Sequence, residues 1–320
     1  MQIIRKKLFL RKEKEVLTQV PLLKRMSKYK MMYLFLLPLI IHQLVFKYYT
    51  MYGITLAFKD YKYNLGIIGS PWVGFKYFEQ FVNQYNFWQL IINTLRMTFS
   101  SLIFGFPLPI LLALLINEVH ARRTKKIIQT FTYLPHFVSW VVVISIFNNL
   151  LSPNGGLVNE VLGKLFGMEP KYFMGEKEYF IPAYLLIGAW KEIGWGSILY
   201  LAAITGVDPE LYEAAELDGA GRWRKMWYIT LPCIIPTIVI KLIMQMKGIM
   251  GVGFDQVYLM QTPMNIEISE AINTYTTKQG ILEGNYSYAT AVGLFQSIIG
   301  LILLIITNTL SKKLTETSLW

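Results

Sequence analysis

The sequence is poor in the residues that build disulfide frameworks, metal sites and catalytic centres. Its 320 residues include one cysteine, Cys233, and three widely separated histidines, His42, His120 and His136. A single cysteine excludes an internal disulfide and a thiolate metal cluster, and we expect the separated histidines to be structural. Neither a hydrolase triad nor a carboxylate pair of catalytic type is evident. We therefore expect no catalytic residue and no metal site in this chain.

Charge is also scarce. Charged residues make up 16% of the chain and hydrophobic residues 54%, whereas soluble domains carry about 25% charged residues. A lipid bilayer is therefore the expected solvent, and crossing it takes about 20 mostly apolar residues. Six windows meet this length, at about 31–56, 88–118, 128–150, 181–204, 230–252 and 287–310. The sequence predicts an all-α polytopic membrane protein with six transmembrane helices.

The basic residues are unevenly distributed among the connections. Ten of them lie within residues 1–30, and others follow the second, fourth and sixth windows. Because Lys and Arg favour the cytoplasmic side, we expect a basic cytoplasmic tail at 1–30, a six-span domain at 31–310 and a cytoplasmic tail at 311–320. Topology and anionic lipid then account for the net charge of +11, which argues against nucleic-acid binding. We interpret the first window as a retained span, since no small-residue cleavage pattern follows it.

One charged stretch, residues 206–229, interrupts the apolar sequence between the fourth and fifth windows. Asp208 followed by Pro209 is typical of a helix start, because Asp caps free N–H groups and Pro fits the first helical position. This short helix should end at Gly219. A second helix rich in tryptophan and basic residues should follow Gly221, and Leu231 with Pro232 should begin the fifth span. The composition alone allows a plain amphipathic connector.

The exact string of this stretch resembles a known signature. Residues 213–232 read EAAELDGAGRWRKMWYITLP. This resembles the EAA motif of membrane subunits of binding-protein-dependent ABC importers, which is E-A-A, three residues, G, nine residues and I-x-L-P. Every position is filled, by Glu213, Ala214, Ala215, Gly219, Ile229, Leu231 and Pro232. The segments MYGITLAFKDYK at 51–62 and GSPWVGFKYFEQF at 69–81 look like the maltose-type, lipoprotein-transport-like branch that carries oligosaccharides. The resemblance extends over nearly the whole chain.

The resemblance implies a type I importer permease fold in a bacterial cytoplasmic membrane. It implies a coupling helix at the EAA motif that docks on a cytoplasmic ATPase. The implied partners are a second, related but different permease, two ATP-binding cassette subunits, an extracytoplasmic solute-binding protein, an oligosaccharide and membrane lipid. No G-x-x-x-x-G-K-[ST] phosphate loop occurs in the sequence. We therefore expect ATP and Mg²⁺ to be held by the partner ATPases, and this chain to be a transport subunit without a cofactor of its own.

Polar and aromatic residues inside the spans are candidates for the substrate pathway, because unpaired polarity in lipid is costly. The candidates are Asn148, Asn149, Trp190, Lys191, Glu192, Trp195, Gln245 and Lys247. Each has a structural alternative: the tryptophans as packing residues, Lys191 with Glu192 as a pair to another helix, and Lys247 as a residue that reaches the interface. Gly188, Gly194 and Gly196 are expected to permit close helix packing or a bend.

Two other functional classes remain open from the sequence. An ion-coupled secondary transporter would need dedicated intramembrane acids, and Glu192 is nearly the only acid in the spans. A membrane sensor or scaffold that docks a cytoplasmic partner through the charged stretch would carry no substrate flux.

Overall fold

The computed structural model describes residues 29–246, 248, 250–315 and 318. The predicted tail at 1–30 lies outside this part except for its last two residues, as do Lys247 and most of 316–320. Within it the chain is helical apart from loops and one isolated β-bridge between Lys59 and Trp72. The α-helices are α1 (Lys30–Gln43), α2 (Gly66–Gly69), α3 (Lys76–Val82), α4 (Phe87–Ser100), α5 (Pro107–Asn117), α6 (Arg122–Tyr133), α7 (Trp140–Leu150), α8 (Leu157–Phe166), α9 (Lys177–Ile204), α10 (Pro209–Leu217), α11 (Arg222–Lys225), α12 (Leu231–Met246), α13 (Phe254–Met260), α14 (Ile266–Ser269), α15 (Ile272–Thr277) and α16 (Tyr286–Thr315).

Several α-helices continue into turns of π or 3₁₀ geometry. The π segments are Leu44–Tyr48, Ser101–Gly105, Met226–Thr230 and Lys278–Leu282, and the 3₁₀ segments are Tyr49–Phe58 and Leu134–Phe137. The π segments Ser101–Gly105 and Met226–Thr230 join the α-helices on either side of them into the continuous stretches Phe87–Asn117 and Arg222–Met246. The long helical stretches of the chain are therefore assembled from shorter pieces.

The chain forms two compact units, residues 1–55 and 56–320. In the first unit, the described residues begin with α1, and none of its side chains is buried within the protein. An apolar helix without buried side chains is suited to contact with lipid.

The second unit holds three clusters of buried apolar side chains. The first lies among α7, α9 and α13 and includes Val143, Ile187 and Val257. The second lies among α3, α4 and α16 and includes Phe81, Leu90 and Val292. The third lies among α5, α9 and α12 and includes Ala113, Tyr200 and Ile234. Helix α9 contributes to two of the three clusters and packs against α5, α6, α7 and α12. It is the central helix of this unit.

Two glycines of α9 allow this close packing. A Cβ atom added at Gly194 would overlap the carbonyl group of Thr132 on α6, and one added at Gly196 would lie 2.9 Å from Pro109 on α5. Small residues let helix backbones approach closely in a membrane. The packing role predicted for these two glycines is confirmed.

In the part of the chain that the structure describes, four helical stretches are long and apolar enough to cross a membrane: Lys30–Phe58, Phe87–Asn117, Arg222–Met246 and Tyr286–Lys313. A bent pair, Arg122–Phe137 with Trp140–Leu150, would raise the number to five. Helix α9 has 28 residues, but Lys191 and Glu192 interrupt its apolar sequence. The all-helical architecture is as predicted, and the count of six spans stays a prediction.

The third window, 128–150, is not one straight helix as its apolar length suggested. Its two halves meet at an angle of 102°. Val138 and Ser139 have extended backbones, and the Ser139 side chain accepts a hydrogen bond from the N–H of Val142. This is a helix N-cap, so α7 starts anew after the bend.

At the bend the Pro135 carbonyl oxygen keeps one backbone donor, the N–H of Val138 at 3.1 Å, and Lys191 adds a charged donor to this carbonyl group and to two others. Its Nζ donates to the carbonyl oxygens of Pro135 (3.3 Å), His136 (2.7 Å) and Val138 (2.5 Å), and it lies 5.2 Å from the ring centre of Trp140. Only 4% of Lys191 is exposed. Because a buried ammonium must be paired, we assign Lys191 to the support of this bend rather than to the substrate pathway.

We expect Lys191→Met to destabilise the protein, because three buried carbonyl groups would lose their charged donor. The free energy of unfolding should fall by about 2–4 kcal/mol, as measured by thermal or denaturant unfolding in detergent. Lys164→Met is the matched control. Lys164 is 80% exposed and pairs weakly with Glu160 at 3.9 Å, so its loss should change stability by less than about 0.5 kcal/mol. Equal effects of the two variants would contradict the assignment.

Candidate functional site

The EAA motif begins on a short exposed helix, α10, which is the helix predicted from Asp208 and Pro209. The Asp208 carboxylate accepts a hydrogen bond from the N–H of Glu210 at 3.0 Å, and Pro209 is the first helical residue. The helix ends at Leu217, and Gly219 follows with a φ of +75°. A left-handed backbone of this kind favours glycine. The predicted helix and its glycine stop are confirmed.

The seven residues of the motif occupy three places. Glu213, Ala214 and Ala215 lie on α10, with Glu213 and Ala214 exposed. Gly219 makes the turn after α10. The last three, Ile229, Leu231 and Pro232, lie in the π turn and the first turn of α12.

Helix α10 is tied to the next helical stretch by two side-chain contacts. The Thr230 hydroxyl donates to the Lys225 carbonyl oxygen at 3.4 Å. Because the Thr230 proton is used in this way, the Thr230 Oγ1 atom accepts a hydrogen bond from the Tyr212 hydroxyl at 2.9 Å. Thr230 is 1% exposed. Glu216 pairs with Lys225 at 2.5 Å, and this hydrogen bond holds the pKa of the Glu216 carboxyl below its ordinary value. The pair therefore persists until the pH falls through that lowered pKa.

The fifth span begins earlier than Leu231 and Pro232, where the sequence placed its start. Arg222–Met246 is one continuous helical stretch of 25 residues. Pro232 has no N–H to donate, yet the helix passes through it because the preceding segment, Met226–Thr230, is a π turn. The N–H of Leu231 donates to the carbonyl oxygen of Met226, five residues back. A π turn of this kind absorbs a local irregularity without ending the helix.

A cavity of about 350 Å³ lies between α9, α12 and the segment Ser101–Pro109. Three of the predicted pathway residues line it: Glu192 and Trp195 on α9, and Gln245 on α12. A second cavity of about 310 Å³ adjoins it and shares Gln245 as a lining residue. Polar and aromatic groups thus face one half-open space between these helices.

The other predicted pathway residues lie elsewhere. Trp190 packs edge-on against Phe147, with ring centres 5.5 Å apart. Asn148 and Asn149 are exposed near the end of α7 and do not line either cavity. Lys191 supports the bend, and Lys247 is outside the described residues.

One wall of the cavity is held by contacts that the sequence did not reveal. The His136 ring nitrogen Nδ1 lies 2.9 Å from a Glu192 carboxylate oxygen. The same ring stacks on Trp195, with centres 4.4 Å apart and planes 1° apart. His136 was expected to be structural, and it does position these two cavity residues. The position of His136 could have indicated this role, because it follows Pro135 directly and a helix is expected to break near a proline.

Lys241 also lines the cavity and was not among the candidates. It lines the same cavity as Gln245, which follows it by four residues on α12. Residues four apart share a helix face. Once Gln245 was a candidate, the helical spacing would therefore have predicted that Lys241 faces the same cavity.

We expect Gly219→Ala to loosen the end of α10, because a left-handed backbone costs alanine about 1–2 kcal/mol. Amide hydrogen exchange at residues 218–220 should accelerate by about 5- to 30-fold. Gly221→Ala is the matched control, since Gly221 has an ordinary φ of −71° and both sites have free space around an added Cβ. Faster exchange in both variants to the same extent would contradict this explanation.

Comparison with known proteins agrees with these features. Residues 86–316 match the family described as binding-protein-dependent transport system inner membrane component. The chain is 47% identical over 299 residues to the polygalacturonan/rhamnogalacturonan transport system permease protein YteP of Bacillus subtilis (strain 168), with 93% of each chain covered. It is 45% identical over 291 residues to Protein LplB of the same organism, with 91% of each chain covered.

Solved structures show the same fold. A crystal structure of a bacterial alginate ABC transporter, in complex with an alginate pentasaccharide-bound periplasmic protein, contains a chain with a TM-score of 0.85 and 40% identity. The match covers 93% of this chain and 99% of that chain. The chain therefore belongs to the family of inner membrane components of binding-protein-dependent transport systems, as a permease of the ABC importer type.

Proposed function

We propose that this chain moves an oligosaccharide across the cytoplasmic membrane by alternating access, driven by a separate ATPase that docks on α10. One observation carries the proposal: the exposed helix α10 is tied through Tyr212 and Thr230 to the helical stretch Arg222–Met246. Through Gln245, that same stretch also lines the half-open cavity. A displacement of α10 can therefore reach the cavity along one continuous helix.

The cavity favours a saccharide as cargo. Trp195 offers an aromatic surface, and Glu192 and Gln245 offer groups that can hydrogen-bond hydroxyls. A volume of about 350 Å³ lies within the range of small-molecule sites. The relatives named above for their substrates transport polygalacturonan, rhamnogalacturonan or alginate. We infer that the cargo is an oligosaccharide released from a polysaccharide of that kind.

The remaining parts of the importer would be other chains. A second, related permease would complete the pathway, and two ATP-binding cassette subunits would hold ATP and Mg²⁺. An extracytoplasmic solute-binding protein would deliver the cargo, as the family's binding-protein dependence implies. In this arrangement α10 and both termini face the cytoplasm, in agreement with the bias of Lys and Arg in the sequence. This chain itself would not hydrolyse ATP.

Reconstitution tests the proposal directly. The complete complex in proteoliposomes should accumulate oligosaccharide only when both the binding protein and ATP are present. The Glu213→Ala variant should reduce uptake, since Glu213 is an exposed polar residue of the docking helix. Uptake that continues without the ATPase subunits would contradict the proposal, and a complex that transports no saccharide at all would contradict the cargo class.

We expect Tyr212→Phe to uncouple ATP hydrolysis from transport, because it removes the hydroxyl that contacts Thr230. The ratio of ATP hydrolysed to saccharide imported should rise about 3- to 10-fold, which corresponds to the loss of one hydrogen bond of about 1 kcal/mol. The same substitution at Tyr228, which is 80% exposed, is the control and should leave the ratio unchanged. An unchanged ratio in Tyr212→Phe would exclude this contact from coupling.

A further inference from the structure

Lys191 on α9 and Lys241 on α12 differ in how their charge is satisfied. Lys191 is buried, and its ammonium donates to three carbonyl oxygens. Lys241 is exposed and lines the cavity, and the structure gives its ammonium no hydrogen bond or ion pair with any described residue. The one carboxylate that lines this cavity, Glu192, pairs with His136 instead. A cation within a membrane helix is costly unless it has a partner or a function.

We propose that Lys241 binds a carboxylate of the transported saccharide and makes the cavity selective for acidic oligosaccharides. The proposal rests on the proposed function, because it assigns the ligand of the same cavity. An ammonium on a flexible stem is a compact charge that can follow a carboxylate as the cargo moves. The missing partner of Lys241 would then be the cargo itself.

The neighbours of Lys241 suit the rest of a sugar acid. Gln245 lies one helical turn further along the same face of α12 and can bond hydroxyl groups. Gln256, a further amide in the lining, is 5% exposed and donates to the carbonyl oxygen of Tyr184 at 2.7 Å. The amides, unlike the ammonium, do not distinguish an acidic from a neutral sugar. Charge selectivity in this wall therefore falls to Lys241.

The negative charge of the cavity lies on α9, whereas the positive charge of Lys241 lies on α12. Glu192 is held by His136 on the α9 side, where its carboxylate can accept hydrogen bonds from sugar hydroxyls. Trp195 is 45% exposed beside it and offers an apolar surface to a ring. A cargo bound with its hydroxyls toward α9 and its carboxylate toward α12 would meet complementary groups on both sides. The reverse orientation would place two carboxylates together, which is unfavourable.

Uptake of trigalacturonate by the complete reconstituted transporter tests the proposal. Lys241→Met removes the charge and keeps an unbranched side chain that a membrane helix tolerates, whereas Lys241→Arg keeps the charge. We expect Lys241→Met to lower kcat/KM for trigalacturonate by about 10- to 100-fold and Lys241→Arg to stay within about 3-fold of the wild type. Lys312→Met, at an exposed position near the end of α16, is the control for loss of one positive charge.

Three outcomes would overturn the role of Lys241. They are wild-type uptake by Lys241→Met, equal loss in Lys241→Met and Lys241→Arg, and equal loss for trigalacturonate and its neutral methyl ester. The binding protein is the same for every variant. A change in kcat/KM relative to the wild type therefore arises in the permease. A wild-type complex that imports neither saccharide would contradict the proposed function instead, and so the two failures are distinguishable.

Discussion

The backbone carbonyl groups at the bend between α6 and α7 need a hydrogen-bond donor, and the arrangement around the cavity depends on how they obtain one. In a hydrocarbon layer no water is available to satisfy them. Lys191 supplies one ammonium to three of these oxygens. This contact fixes the bend against α9. It thereby places His136, which lies within the bend, against Glu192 and Trp195 on the same helix.

The helical stretch Arg222–Met246 links this cavity to the exposed helix α10. It begins beside α10, receives the Tyr212 contact at Thr230 and carries Lys241 and Gln245 about three to four turns further on. Its π turn lets the helix continue through Pro232. One continuous helix therefore joins the proposed docking helix α10 to the cavity, which is the physical basis of the proposed coupling.

Local physics made the charged stretch predictable. The cap at Asp208, the proline after it and the left-handed backbone at Gly219 depend on neighbouring residues only, and the structure has each of them. The extended apolar windows were also visible, because a bilayer demands length and apolarity. The bend within 128–150 was missed because the apolar composition continues across the break, although Pro135 marks a position where a helix can end.

Residues of similar type or adjacent position in the sequence have different roles around the cavity. Trp190 and Trp195 look alike in the sequence, yet one packs on Phe147 and the other lines the cavity. Lys191 and Glu192 are adjacent, yet the first holds a bend and the second faces the cavity. Successive residues on a helix point about 100° apart, so their roles depend on which neighbour packs on each face.

The sequence by itself determined the all-helical membrane class, the short helix α10 and its glycine stop, because composition, caps and backbone preferences act over a few residues. Only the tertiary structure decided that Lys191 donates to three carbonyl oxygens while the exposed Lys241 pairs with no described residue, and that His136 joins Glu192 and Trp195. The physical reason is that the partner of a polar group in a membrane protein is supplied by another helix. That helix lies far away in the chain and becomes a neighbour only through packing.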